Sequence, residues 1–359
     1  MAIRQKTLTD GSKRYFAAVY VRDSQKYIYG STRTRKRDAL SDETKLKHEL
    51  YSGSYIEETT VTFDEAVSTY FNLLAVDRLS EGTLKNYQSL YVNHLEKTFA
   101  HRTLVSIRPY EIQQLWKEKS LTLANSTIIK AHTLMNNVYK QYVKWDEIKN
   151  NPLDKVDKPR TRYRTAQIWT KEEAHTFLET AKEYQSYMVF WLALNTGMRS
   201  GEILGLTWDS IDFENNLIIV KQQYSWSKKK IVYHTKTSTS MREIDLSQSQ
   251  MDFLINHKNS QNPKSNIVCS NEIGGFIQER NVRRAKKVIC DRTNVKLITF
   301  HELRHTHASM LVNMDEPLKY VQERLGHSDA KTTMNFYVHT QKSHHRETAE
   351  RFSNYFLSE

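Results

Sequence analysis

The sequence predicts an α+β multidomain protein in three parts. These are a small N-terminal three-stranded sheet plus helix, an all-helical middle domain, and a mainly helical C-terminal domain with a small antiparallel sheet. Three observations carry this expectation. The 359 residues suffice for two or three domains. Aromatic and β-branched runs cluster near the N-terminus and again near residues 217–246. Elsewhere apolar residues recur at three- to four-residue spacing, behind Ser/Thr-x-x-Glu capping boxes.

Composition narrows the class. Hydrophobic residues make up 38% of the chain, which supports packed cores rather than disorder. Glycine (10) and proline (5) are too scarce for a Gly-rich all-β protein. The longest apolar run, Met188–Leu194, is too short to cross a membrane. The N-terminus is polar and carries no secretion signal, so a cytoplasmic location and no membrane partner are expected. Cys269 and Cys290 provide neither a disulfide framework nor a CxxC metal spacing. The net charge of +12 favours a polyanionic partner, although charge alone leaves nucleic-acid binding and plain solubility equally open.

The elements follow in order. Residues 1–56 form the first domain. Lys13–Arg22 and Gln25–Gly30 read as a hairpin turning at Asp23-Ser24, followed by a helix from about Arg37 to Tyr51. Residues 1–40 hold ten Lys/Arg against three Asp/Glu, and the basic and aromatic residues share strands. Arg14, Tyr20, Arg22, Arg33, Arg35 and Lys36 are therefore candidates for contact in a DNA major groove. The bland alternative is a solvated charge run beside a turn. Residues 61–149 read as helices. One follows the capping box Thr62–Glu65, one starts near Ser80, one has Pro109 in its first turn, and one starts near Asn125. The last carries Ile128, Ala131, Met135, Val138 and Tyr142 as one core stripe. Residues 150–167 read as a basic linker that tracks a phosphate backbone, with Arg160, Arg162 and Arg164 as candidates.

Residues 168–359 form the last domain. A capping box at Thr170–Glu173 starts one helix, and an apolar helix, Tyr187–Asn195, closes at Gly197. Three strands are expected at about Leu217–Ser225, Lys230–Lys236 and Met241–Leu246, and helices thereafter. The tail after about Gln341 reads as an amphipathic helix with Phe352, Tyr355 and Phe356 on one face.

Several patches in this domain carry chemistry. Arg199 starts a helix and suits a fixed phosphate ligand. Lys236 lies near a Thr/Ser-rich turn, with Lys228, Lys229 and Lys230 as rivals. His301-Glu302-Leu303-Arg304-His305 matches the HExxH zinc signature. Zinc would leave Arg304 unexplained and needs no basic chain, although Glu316 and Glu323 stay open as a third ligand. The competing reading pairs His301 with Arg304 on one helix face, with His305 and His307 in packing or hydrogen bonding. His327 follows in Leu-Gly-His-Ser, and Tyr337 lies ten residues further on.

Together these patches resemble the tyrosine recombinases, the phage integrase family. The segment TGMRSGEI, with TWDSID after it, is similar to the family's first-arginine box. Ser210 departs from it, standing where an acidic residue is common, and Asp212 is kept. HELRHTHAS, LGHS and the tyrosine beyond complete the set. The resemblance is specific over residues 195–340, and looser, by order and size, in the N-terminal parts. It implies that Tyr337 is the nucleophile forming a 3′-phosphotyrosyl link, with Tyr320 and Tyr355 as less well spaced alternatives. It implies that Arg199 and Arg304 clamp the phosphate and that Lys236 is the general acid. His301 and His327 would bond the phosphate, and Glu202 would brace the site. No cofactor or metal is implied. Residues 1–56 become an arm-type DNA-binding domain, 61–149 a core-binding domain and 168–359 the catalytic domain. The implied partners are double-stranded DNA with core-type and arm-type attachment sites and a homotetramer on that DNA. An excisionase or directionality factor and a host DNA-bending protein are also implied, at the nucleoid of a bacterial host. The tail would dock either on its own domain or on a neighbouring protomer. The alternatives are a zinc hydrolase, a DNA-binding regulator with a relict site, and a topoisomerase that relaxes DNA without exchange.

Overall fold

A computed structural model describes residues 3–21, 25–53, 55, 59–160, 166–226, 228–233, 241–261, 265–326, 352–354 and 356–357. The chain divides into two compact units, Met1–Arg162 and Tyr163–Glu359.

The first unit opens with an antiparallel sheet, β1 (Ile3–Thr7), β2 (Lys13–Val21) and β3 (Lys26–Tyr29), with β2 in the centre. Helix α1 (Lys36–Tyr51) packs on β2, and Ala17 and Ala39 are fully buried there. Strand side chains alternate between faces. The register Arg4↔Phe16, Lys6↔Arg14, Ala18↔Tyr29 and Tyr20↔Tyr27 therefore gathers these eight residues on the face away from α1. The expected turn residues Asp23 and Ser24 lie outside the described residues.

A helical bundle follows: α2 (Phe63–Tyr70), α3 (Val76–Arg78), α4 (Glu81–Leu90), α5 (Glu96–Phe99), α6 (Pro109–Lys119) and α7 (Asn125–Lys144). The Thr62 hydroxyl accepts from the Glu65 amide, and the Glu65 carboxylate accepts from the Thr62 amide, so two orphan donors are satisfied at the start of α2. One π-helical turn joins α2 to α3 (Phe71–Ala75) and another joins α4 to α5 (Tyr91–Leu95). The α7 stripe Ile128, Ala131, Met135, Val138 and Tyr142 is buried as expected. The linker differs from expectation at its start. Pro152–Lys155 forms a 3₁₀ turn capped by Asn151, and Leu153 and Val156 join the helical core. Pro152 presets the first turn, and the two apolar side chains gain more from burial than an extended backbone would.

The second unit begins with α8 (Lys171–Ala181), behind the Thr170 capping box, and α9 (Tyr187–Thr196), in which Met188–Leu194 are all buried. Then come α10 (Ser200–Leu204), β4 (Ile211–Asp212), β5 (Leu217–Val220), β6 (Gln222–Ser225), β7 (Lys230–Tyr233) and β8 (Arg242–Asp245). Helices α11 (Gln248–Ser260), α12 (Glu279–Thr293), α13 (Phe300–Asn313) and α14 (Leu318–Leu325) complete it. The expected single three-stranded sheet is in fact two sheets, β4–β5–β8 and β6–β7. The predicted strand Leu217–Ser225 breaks at Lys221, whose Nζ donates to the Asp209 carbonyl 3.1 Å away. Beyond the break, β6 packs on α10 instead. Gly205 permits this, because a Cβ there would lie 2.4 Å from the Tyr224 amide nitrogen. Among the described residues, no helix is long and apolar enough to cross a membrane.

Candidate active site

The site is built where α9 ends. Gly197 closes that helix at φ +66°, and a Cβ there would meet the His307 ring at 2.6 Å and Leu325 at 2.7 Å. Only glycine supplies both the left-handed turn and the space. The turn delivers Arg199 as N-cap of α10. Glu202, on that helix, accepts from the Arg199 amide at 2.8 Å and from its Nη1 at 2.9 Å. The same carboxylate takes Nη1 and Nη2 of Arg242, on β8, at 3.1 and 2.8 Å. Both Glu202 and the Arg242 side chain are almost wholly buried. Burial alone would raise the Glu202 carboxyl. The Arg242 guanidinium and the Arg199 contacts outweigh it and bring the group down to about 2.

Arg304, on α13, completes the cluster. It is 2% exposed, with Nη1 donating to the Gly197 carbonyl at 2.7 Å and Nη2 to the Leu325 carbonyl. Its Nε has no partner among the described residues. Burial, then the charges of Arg199 and Arg242, push this guanidinium down to about 9, against the opposing pull of Glu202. Three guanidiniums thus face one carboxylate. Arg199 Nη2 donates to the Gly326 carbonyl at 3.0 Å, and Arg242 Nε to the Arg324 carbonyl at 2.8 Å. Each of the carbonyls of residues 324, 325 and 326 therefore receives one arginine. Carbonyls at a helix C-terminus lack intrahelical partners and form the negative end of the helix dipole, so cations are favoured there.

Arg199, His301 and Arg304 line one cavity of about 340 Å³, together with Gln223, Tyr224 and Trp226 of the β6 region. Burial, then Arg304 and Arg199, lower the His301 imidazole below its ordinary value. It is neutral at pH 7, with a nitrogen lone pair to accept a proton. The other histidines pack. His307 is buried, and its Nδ1 contacts the Leu194 carbonyl at 2.8 Å. Glu302, the acid of the HExxH match, accepts from the amides of Gln167 at 3.0 Å and Thr299 at 2.6 Å. It acts as cap and strap for α13. Among the described residues, no group of three or more His, Cys, Asp or Glu could hold a metal ion.

Arg199, Glu202, His301 and Arg304 are thus brought together, while Lys236, His327 and Tyr337 lie outside the described residues. Of the rival lysines, Lys228, Lys229 and Lys230 are exposed at the β6–β7 turn. Tyr320 lies on α14, with its hydroxyl 3.4 Å from Arg324 Nη1, and Tyr355 lies outside the described residues.

In the first unit, Arg14 and Tyr20 lie on the open sheet face. Arg33 is exposed but paired: its Nε and Nη2 donate to Asp42 of α1 at 2.6 and 3.1 Å, which ties the end of the sheet to the helix. Arg35 and Lys36 start α1, exposed. Arg160 is exposed, and Arg22, Arg162 and Arg164 lie outside the described residues. Sequence reasoning missed Arg4, Lys6, Tyr27 and Tyr29 on the open face, although the period-two alternation held that signal. Arg4 lies over the Tyr27 ring at 4.5 Å and the Tyr29 ring at 5.7 Å. It also missed the exposed cations Arg280, Arg283, Arg284 and Lys287 of α12, and the buried Arg242.

Residues 167–344 match the phage integrase family. A tyrosine recombinase XerC-like protein of Caldanaerobacter subterraneus subsp. tengcongensis is 27% identical over 399 aligned positions, covering 99% of this chain and 100% of its own. The ICEBs1 integrase of Bacillus subtilis is 26% identical over 333, covering 89% and 90%. The Tn1549 transposon integrase, solved with transposon right end DNA, shares the fold at a TM-score of 0.70 and 20% identity, over 82% of this chain and 100% of that one. A lambda integrase dimer bound to a core site shares it at 0.61 and 16%, over 92% and 93%.

Proposed function

The chain belongs to the phage integrase family of tyrosine recombinases, and from that premise we propose that it integrates and excises a mobile element by cutting and rejoining DNA at specific sites, with Tyr337 as the nucleophile. The observation that carries this reading is the arginine cluster, in which Arg199, Arg242 and Arg304 face Glu202 beside an open cavity. Buried cationic excess is costly until an anion arrives. A DNA phosphate in the cavity supplies that anion. Arg199 and Arg304 hold its non-bridging oxygens and neutralise the charge that grows as the phosphorus becomes pentavalent.

Tyr337 attacks the phosphorus and forms a 3′-phosphotyrosyl bond as the bond to the 5′ oxygen breaks. The energy of the phosphodiester is kept, so rejoining by the 5′ hydroxyl needs no nucleotide. A phenol ordinarily titrates near 10, so the site must take its proton, and neutral His301 is the acceptor. Lys236 protonates the leaving 5′ oxygen, His327 bonds the phosphate, and Glu202 braces Arg199. Nothing in this chemistry requires a metal or cofactor.

The parts divide the DNA between them. Residues 1–56 bind arm-type sites through the open sheet face of Arg4, Lys6, Arg14, Tyr20, Tyr27 and Tyr29. Residues 61–149, with the basic stretch through residue 164, bind the core-type site, and the α12 cations add phosphate contacts there. A tetramer assembles on DNA, and the exposed Phe352 and Phe356 suit a tail docked on its own unit or on a neighbour. A solved lambda integrase tetramer sits on a Holliday junction. An excisionase and a host DNA-bending protein would set direction, in the cytoplasm of a bacterial host.

The test is covalent trapping on a nicked suicide duplex made from the junction of the element's excised circle. Mapping of the modified residue is expected to give Tyr337, and Tyr337→Phe is expected to abolish attachment while leaving binding intact. Attachment that persists in that variant, or maps to Tyr320 or Tyr355, removes the assignment. Attachment lost in EDTA would favour the zinc reading instead.

A further inference from the structure

The geometry points to Arg242 as a positioning residue for strand cleavage. It locks Arg199 through Glu202 and at the same time anchors the end of α14, from which the chain continues to His327. The inference rests on the recombinase reading and adds a residue to it.

Arg242 cannot itself act on DNA. Its side chain is 6% exposed, and all three of its nitrogens are engaged within the protein. Nη1 and Nη2 each take one oxygen of Glu202, a bidentate pairing that fixes the carboxylate plane. That plane sets where Glu202 meets the Arg199 amide and Nη1. The third nitrogen, Nε, donates to the Arg324 carbonyl at 2.8 Å, one residue before the carbonyl held by Arg304 and two before the one held by Arg199. One planar cation thus joins the clamp to the helix end.

Guanidinium chemistry is specific here. A lysine at 242 could pair with Glu202 or with the helix end, but a single ammonium lacks the flat fork that serves both. Without the cation, Glu202 keeps its bonds to Arg199 and the more distant charge of Arg304 but loses its bidentate partner, and it protonates more readily as the pH falls. Arg199 then loses its brace. The clamp fails in acid, although Arg242 touches neither the phosphate nor the tyrosine.

The experiment uses the full chain as wild type, Arg242→Met, Arg242→Lys and the double variant Glu202→Gln/Arg242→Met. Duplex binding and single-turnover covalent attachment are followed from pH 5.5 to 8.5 on the circle-junction suicide duplex. Arg242→Met is expected to bind DNA within about threefold of wild type yet attach about 100-fold more slowly at low pH, with an acid limb that sets in at higher pH than the one His301 gives wild type. Arg242→Lys should recover part of the rate. The double variant should return the acid limb to its wild-type position, because His301 still titrates but no carboxyl remains at 202. A loss equal at every pH, unaltered by Arg242→Lys and matched by a fall in melting temperature, would mean Arg242 is only structural and would overturn the inference. If wild type itself fails to attach, the recombinase reading fails. Calorimetry with inorganic sulfate at fixed ionic strength then decides about Arg242 alone: weaker, pH-dependent binding in Arg242→Met upholds the brace, and unchanged binding rejects it.

Discussion

Two cationic regions of this molecule use the same side chain in opposite ways. On the N-terminal sheet, Arg4, Lys6 and Arg14 share an open face with three tyrosines, and Arg4 is stacked over two of the rings. In the C-terminal unit, Arg199, Arg242 and Arg304 are anchored by Glu202 and by the carbonyls of residues 197, 324, 325 and 326. Exposed charges are screened and adaptable, so they supply affinity that salt erodes. Arg242 and Arg304 are buried and Arg199 is half-buried, and charges held at fixed positions in a poorly screened medium supply geometry and field. On the proposed function, the same residue type is thus a binding element in one unit and chemical machinery in the other.

The comparison can be broken at the buried end first. Arg304→Lys cannot keep both the Gly197 and Leu325 carbonyls in the same flat geometry. Attachment on the suicide duplex is expected to fall by about 1,000-fold, with binding changed little. A variant that keeps its attachment rate would show that the fixed fork is not needed.

Acid sharpens the contrast next. Burial brings His307 down to about 4 from the ordinary 6.5, with the Leu194 carbonyl opposing and Arg324 adding to the shift. The unfolded chain therefore binds the proton more readily than the folded one between pH 6.5 and 4. Stability is lost as pH falls through that window, by up to about 3 kcal/mol from this group. Denaturant melts at pH 7 and pH 5 should show the loss, and His307→Gln should flatten it. A wild-type midpoint that does not move in this range would contradict the burial argument.

The smallest effects are expected on the sheet. Arg4→Ala or Tyr27→Ala should weaken binding to arm-type DNA by a few-fold each. For Arg4→Ala the slope of log affinity against log salt should flatten by about 0.9. Neither change should alter attachment on a core-type duplex. An equal loss on both DNAs would mean that the sheet does not discriminate between the sites.

Local patterns were legible without a structure because they encode contacts between near neighbours. The Thr62 and Thr170 caps each satisfy an amide three residues away, so composition over four residues suffices to see them. The core stripe of α7 is likewise a matter of helical period. The candidate site residues stood out for a different reason. Arg199, His301 and Arg304 stand inside short motifs whose family resemblance is specific, and the structure gathers these three around one cavity.

What the sequence carried by itself, then, was element type, the candidate residues of the proposed phosphate site and the resemblance to the integrases. Tertiary structure decided how the charges are held. The split of the predicted sheet at Lys221 depends on where β6 finds α10. Arg33 reads as a free basic residue until Asp42 is brought beside it. Arg242 reads as a neighbour of Lys236, and its role emerges only when Glu202, 40 residues away, and Arg324, 82 away, converge on it. Arg199 and Gly326, 127 residues apart, meet by the same folding. No periodicity spans such distances. For Arg242 burial fixes the partners, because a guanidinium removed from water must find acceptors wherever the packed chain presents them.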